Sequence, residues 1–414
     1  MRVGVDFWED LGFERGYASI WGFGVRELSV SRIELRGMKW CRPEVLFGSR
    51  RWALFRGAPD PRDVRQGMMG AGWVLGALAA VAEEPGRVGR LFLSGEGYRE
   101  YGAYSIAVCF AGLWQEIWVD DYIPSARIPF CACLPSNSGA DYLEYFDKMR
   151  NKEIWPMLWE KAYAKIYGGY MNISKLSIKD VLADLTGAPV ISYNDQNINL
   201  PKRIELPEDS NLSKSKLRSK SQLALSEIFK KSDSSSKISD MTHSSQRSGS
   251  QGSKSKLGTR ANFLDTKVDL GTWTCKATNQ DLINIEKWNL IYNAVKSGYI
   301  LTTSTTDKFK PKLAKMGLTT NHPYTILAVY EIIEGTDSSD FEVLEDFEVR
   351  SDQAKTRLLK IRNPWWPKDT GAELWCGKWC ETDPRWNYGL GAALGYDPYE
   401  TNGIFFMCFE EYVK

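Results

Sequence analysis

Between Ser192 and about Val268 serine and lysine dominate, aromatic residues nearly vanish, and runs such as Asp233-Ser234-Ser235-Ser236 and Ser244-Ser245-Gln246 appear. A stretch of that composition cannot bury enough apolar surface to offset the entropy lost on ordering. It is read as a disordered insertion, residues 193–268, so any core must be built from the sequence on either side. From Pro201 to Arg260 there are 13 lysines and arginines against 6 acids, a net of +7; the whole chain carries +1, so the rest stands at −6. Basic charge is therefore concentrated in the insertion, and the chain as a whole has no field that argues for nucleic acid or a membrane surface. Within it, Leu223-Ala224-Leu225 and Ile228-Phe229 make a short apolar run, either a nascent helix for a partner or part of a solvated linker.

The flanking sequence has ordinary globular composition, since the chain is 43% hydrophobic and 25% charged over 414 residues. That length allows two to three domains and a sizeable core. No apolar run reaches transmembrane length, and Met1-Arg2-Val3-Gly4-Val5-Asp6 lacks the apolar core of a secretory signal. The eight cysteines are scattered through the sequence. Without a secretory signal they read as reduced thiols and the chain as cytoplasmic. Cys131-Ala132-Cys133 and the Cys376/Cys380 pair do not suggest zinc, which needs four ligands at paired spacings in a chain holding only two histidines.

Residues 1–39 carry no recognisable motif, and Trp21-Gly22-Phe23-Gly24 reads as loop. Trp73 to Glu83 is an alanine-rich helix. Tyr104, Ile106, Val108 and Phe110 alternate, then Ala111-Gly112 turns the chain into Ile117 and Val119, which predicts a hairpin. Trp155, Leu158, Trp159, Ala162, Tyr163 and Ile166 recur at helical spacing, with Pro156 acceptable in the first turn, and are read as core. Beyond the insertion, Leu282, Ile285, Trp288, Ile291, Tyr292 and Val295 predict an amphipathic helix, and Tyr299-Ile300-Leu301 a strand. Tyr324 to Ile332 is apolar except for Thr325 and Glu331, as in a strand buried on both faces, and Arg357 to Arg362 pairs naturally with it. The fold class is α+β, helix-rich before the insertion and antiparallel β-rich after it.

The chemistry centres on Gln66-Gly67-Met68-Met69-Gly70-Ala71-Gly72-Trp73, which opens the alanine-rich helix. A helix N-terminus favours a thiolate, because its unpaired N–H groups and dipole stabilise negative charge. Gln66, six residues upstream, is placed to donate an N–H to a developing oxyanion. Far downstream come His322, in Asn321-His322-Pro323-Tyr324, and Asn363, in Arg362-Asn363-Pro364-Trp365. Cysteine, histidine and asparagine in that order form a triad in which imidazole takes the thiol proton and the amide orients the ring. Here glycine stands first. Gly72 has no side chain, so no acyl-enzyme can form there.

These residues resemble the two-part protease core of calpains, the calcium-dependent intracellular cysteine proteases. Their nucleophile motif reads roughly Gln-Gly-x-x-Gly-Asp-Cys-Trp, from which this chain departs only at Ala71 and Gly72. Further matches are Trp40 to Pro43, Trp118-Val119-Asp120-Asp121, the Trp155 to Lys165 helix, and Asp184-Leu185-Thr186-Gly187. Later matches are Trp375-x-Gly377-x-Trp379 and Asn402-Gly403-x-Phe405-x-Met407-x-Phe409-Glu410. The resemblance implies a papain-like core with subdomains at 40–192 and 269–414, with Trp365 shielding the His322–Asn363 pair and contacting substrate. Where the family carries a glycine pair for docking substrate backbone this chain reads Ile173-Ser174-Lys175-Leu176-Ser177, and the glycine before histidine is Asn321, so a Cβ at each position crowds the approach, Lys175, Leu176 and Asn321 blocking substrate backbone.

The resemblance also implies one calcium site per half. Asp63 and Glu160 match first-half ligands. In the second half Asn402, Ile404 and Leu374 replace expected ligands and only Glu381 is retained. The expectation is one weak first-half site at most; the competing reading makes Asp63 and Glu160 ordinary surface or capping carboxylates. The function implied is a pseudoprotease serving as a binding, scaffold or regulatory protein for a protein or peptide partner. The alternatives are an active calcium-dependent cysteine endopeptidase, if Gly72 is a sequence or gene-model error, and a calcium-responsive regulator without catalysis.

Overall fold

A short helix, α1 (Tyr17–Trp21), is the first element among the described residues, followed by strand β1 (Lys39–Cys41) and, further on, helix α2 (Gly72–Ala82). The computed structural model describes residues 7–22, 39–47, 52–64, 72–94, 100–125, 153–193, 279–334, 341–344, 355–364, 375–397, 400 and 402–414. Met1–Ser192 and Trp288–Lys414 form one compact unit; Tyr193–Lys287 form another, described only at Tyr193 and in the first turns of a helix. The insertion read as disordered, with its apolar run, lies outside the described residues.

Helix α2 is apolar all round, and Val74 to Ala82 are all buried, as a helix without a polar face must be. Strands β2 (Ala103–Phe110) and β3 (Leu113–Asp120) then pair antiparallel from Ala103↔Asp120 to Phe110↔Leu113. Their two-residue turn has φ of 51° at Ala111 and 80° at Gly112, the left-handed pair that a right-twisted hairpin requires. Strand β4 (Ile123–Ser125) returns to pair with β1. Helix α3 (Trp155–Ile166) is buried from Trp155 through Ala164, including Glu160 and Lys161. Helix α4 (Ile178–Thr186) is capped by the Ser177 hydroxyl and ends at left-handed Gly187. Asp184 within it accepts the hydroxyls of Tyr163 at 2.8 Å and Tyr167 at 2.7 Å, which locks α4 to α3.

After the insertion, helix α5 (Asn279–Lys296) leads into an antiparallel sheet of five strands. Its path runs β5 (Leu301–Ser304), β6 (Pro323–Glu334), β8 (Lys355–Arg362), β9 (Ile404–Cys408), with β7 (Phe341–Leu344) on β6. The first strand starts at Leu301 rather than Tyr299; Tyr299 is exposed, and its N–H closes the end of α5 on the Ala294 carbonyl. The sheet is covered on both faces. Leu359, Ile361, Phe405 and Met407 pack with Trp288 and Trp375 on one side, while Leu358, Phe406 and Cys408 pack with Trp379 and helix α6 (Tyr388–Leu394) on the other. This period-two division explains why β6 reads as almost continuously apolar. Its two polar residues are used inside: Thr325 is buried, and Glu331 accepts the Trp288 indole N–H at 3.1 Å and the Arg357 guanidinium at 3.3 Å.

The segment before residue 39 is where the sequence misleads. Trp21 is not in a loop: it ends α1 and is buried with Phe13 and Ile20 in the first-half core. Ionic bonds hold this segment down. The Lys165 ammonium grips both oxygens of Asp10 at 2.7 and 2.8 Å, and the Asp10 N–H donates to Asp120 at 2.9 Å. Lys161, fully buried, donates to the Asp120 carboxylate, to the Asp120 carbonyl and to the Tyr122 carbonyl at 2.8 Å. Each charge sits beside a partner, the condition for burying it at all.

Candidate active site

Helix α2 begins at Gly72, which is buried, so the position expected for a nucleophile is the first residue of the helix and carries no side chain. The helix packs against β5 and β6, the strands that flank His322. Gln66, Ala71 and Trp365 lie outside the described residues.

His322 and Asn363 come together. His322 stands immediately before β6 and Asn363 immediately after β8, two strands paired antiparallel, so the sheet register brings positions 41 apart side by side. His322 Nε2 lies 2.8 Å from Asn363 Oδ1, and the two residues are 0% and 4% exposed. With the amide oxygen turned to the ring, Nε2 carries the proton and Nδ1 is the basic nitrogen. Burial holds the imidazole well below its ordinary range, at about 4, although the bond to Asn363 pulls the other way. It is therefore neutral at physiological pH.

The backbones of both residues are fixed in turn, that of His322 by Thr305, which no sequence motif announced. The His322 N–H donates to Thr305 Oγ1 at 3.2 Å and its carbonyl accepts the Thr305 N–H at 3.1 Å. The Asn363 N–H donates to the Gly403 carbonyl at 2.9 Å, which gives the Asn402-Gly403 pair a structural job. Tyr324 packs edge-on against the imidazole at 4.8 Å between ring centres.

Asn321 has φ of 49°. The family's glycine there answers to a left-handed backbone, which asparagine tolerates better than other residues bearing a Cβ. Its amide is bonded to the Asp307 carboxylate. Lys175 is exposed, while Leu176 is half-buried and packed against the first-half core.

The calcium candidates Asp63, Glu160 and Glu381 lie on three different elements. Asp63 ends a short 3-10 turn, where it forms a capping box with Asp60. Its near neighbour is Glu153, a residue the sequence gave no reason to single out. Burial first, and the Asp63 carboxylate second, push the Glu153 carboxyl up to about 7. Glu160 is buried on α3, and Glu381 is exposed in the turn after Cys380. Among the described residues no group of three or more His, Cys, Asp or Glu side chains is arranged to hold a metal ion.

Comparison with known proteins bears on the whole arrangement. The sequence profile of the calpain family cysteine protease matches residues 8–285 and 251–414. The calpain-type cysteine protease DEK1 of Arabidopsis thaliana is 22% identical over 378 residues, 90% of this chain and 12% of its own length. Rat calpain-13 is 31% identical over 159 residues, 38% of this chain and 22% of that protein. The chain thus spans about an eighth of the length of the plant relative (12%) and under a quarter of the rat one (22%). Among the described residues no helix is long and apolar enough to cross a membrane. With its helical first half, its antiparallel second half and a buried histidine–asparagine pair beside the helix that opens at Gly72, the chain belongs to the calpain family of cysteine proteases.

Proposed function

We propose that this chain is a pseudoprotease: a calpain-type core that binds a protein or peptide segment in its cleft without cutting it. One observation carries the reading. Gly72, the first residue of α2, puts bare backbone where a thiol must stand, so the step that forms an acyl-enzyme has no nucleophile. The neutral state of His322 agrees with this, since no thiolate is present to hold it as imidazolium. What remains are groups that position a segment. Trp365 is assigned to contact it, and the His322–Asn363 pair serves as a rigid wall of the cleft. Calcium has no catalytic step to support here, and we assign at most one weak site to the first half, at Asp63 and Glu160. Cys41, Cys109, Cys380 and Cys408 are free thiols, which supports placing the chain in the cytoplasm.

Two assays test this. An activity-based thiol probe and casein digestion in calcium should both give nothing. Labelled extended peptides should bind saturably by fluorescence polarisation and bind more weakly after Trp365→Ala. Casein cleavage would overturn the reading, and so would an absence of peptide binding. The intact His322–Asn363 geometry favours a second reading, an active cysteine endopeptidase whose residue 72 is misread in the sequence. Resequencing the codon for Gly72 decides between them.

A further inference from the structure

We propose that the two halves of the cleft are latched together by the chain's own residues at two points along α2, its middle and its C-terminal end, so that the cleft stands assembled without a cation. This goes beyond the binding reading and does not depend on it. The first contact is steric. Gly76 lies one turn after Gly72 on the same helix face. A Cβ built on Gly76 would sit 2.8 Å from Pro323 Cβ and nearer still to the ring Cγ, with Ile178 Cδ1 next at 3.9 Å. The first residue of β6 is thus seated directly on the backbone of a first-half helix, in a hollow that only glycine leaves open. Pro323 adjoins His322, whose N–H and carbonyl are both tied to Thr305, so seating the proline ring also sets the imidazole against the helix start.

The second contact is ionic and lies at the C-terminal end of the helix. Glu83 follows the last residue of α2, and Arg362 ends β8 beside Asn363. The guanidinium reaches both carboxylate oxygens, at 2.5 Å from Nε and 3.3 Å from Nη2, while Nη1 donates to the Asn402 carbonyl at 2.6 Å. Both side chains are mostly buried, 12% and 21% exposed, and a two-pronged guanidinium–carboxylate pair fixes direction as well as distance. Gly76 and Glu83 are separated by about 10 Å of helix at the standard rise. Two anchors at that separation fix both the position and the rotation of α2 on the sheet. The interfacial acid already has its counter-charge, so no cation is needed to bring the halves together. Arg62–Glu400 and the Arg87 bond to the Gly298 carbonyl add only exposed contacts.

Hydrogen–deuterium exchange of the whole chain, in chelator and in millimolar calcium, tests the latch. The expected result is that α2 and the amides of His322 and Tyr324 exchange equally slowly in both. Gly76→Ala should speed exchange at both places, and adding Pro323→Ala should restore part of the protection. Glu83→Gln should loosen the C-terminal turn of α2 together with Asn363, and it decides the matter if Gly76→Ala does not fold. Calcium-dependent protection at these sites in the unmodified chain would overturn the proposal. Unchanged exchange in both Gly76→Ala and Glu83→Gln would do the same. Neither readout depends on peptide binding, so failure here and failure of the binding reading are distinct results.

Discussion

On the sheet side of the cleft, His322 and Asn363 keep a 2.8 Å bond, nearly complete burial and backbones fixed by Thr305 and Gly403. On the helix side, Gly72 contributes no side-chain atom. The difference shows what sustains each group. A thiol at a helix end serves chemistry alone, and the helix folds without it. The imidazole and amide are also core residues: each satisfies a polar group of the other inside the protein, so removing either would leave an unpaired buried atom. A dyad of this kind is held by packing whether or not a nucleophile faces it.

The comparison can be broken most strongly with pH. Native His322 stays neutral down to about 4, whereas an unfolded histidine takes up a proton near 6.5. Between those values the unfolded state binds the extra proton. The residue's contribution is therefore full above that upper value and is lost as pH falls toward the lower one, by up to ~3 kcal/mol. Urea melts across this range should show the loss, and His322→Gln should remove it. A flat profile would mean the sheet side is wet rather than buried.

Repair of the helix side comes next. Ala71→Asp with Gly72→Cys puts a thiol at the start of α2, beside the strand that His322 precedes. Dipole and imidazole should then lower its pKa enough to speed iodoacetamide alkylation near pH 6 on the order of 100-fold over a free thiol. His322→Ala should remove much of that gain. Ordinary alkylation would mean that helix and dyad no longer face each other.

Smaller again is the effect of Asn363→Ala, which strands the His322 Nε2–H and should cost roughly 1–3 kcal/mol, read as a lower Tm in the unrepaired chain. If Asn363→Ala leaves Tm unchanged, packing is not what holds the dyad. The smallest effect expected is from calcium. With Asp63 engaged in a capping box, millimolar calcium should add well under ~1 kcal/mol, and Asp63→Asn should abolish the shift. A stabilisation several times larger would restore calcium to the account of the first half.

What could be read from the sequence was whatever local pattern determines. The hairpin follows from alternation and a turn pair, α3 from its period, and the β6–β8 pairing from an apolar run with a complementary neighbour. The His322–Asn363 pair was readable because motif order on those strands brings the two residues to one end of the sheet. The rest depends on partners far away in sequence. Nothing local in Asp10 announces Lys165, and nothing in Gly76 announces the ring of Pro323, since a glycine in an alanine-rich helix looks like a mere weakening of it. Glu153 gave no sign of Asp63, because the two are joined only through the fold. At Asn321 the Cβ is legible in the sequence, and the left-handed φ of 49° only in the fold.

The bonds that pin the first residues also set an order of events during synthesis. Asp10 pairs with Asp120 and Lys165 across 110 and 155 residues. At ribosomal speeds of about 5–20 residues per second, Lys165 appears roughly 8–30 s after Asp10. For that interval Phe13, Ile20 and Trp21 have no core to enter. The nascent chain therefore exposes these three apolar side chains until later sequence can cover them. Chaperone demand should fall on the segment from Phe13 to Trp21 and end once Lys165 has cleared the exit tunnel.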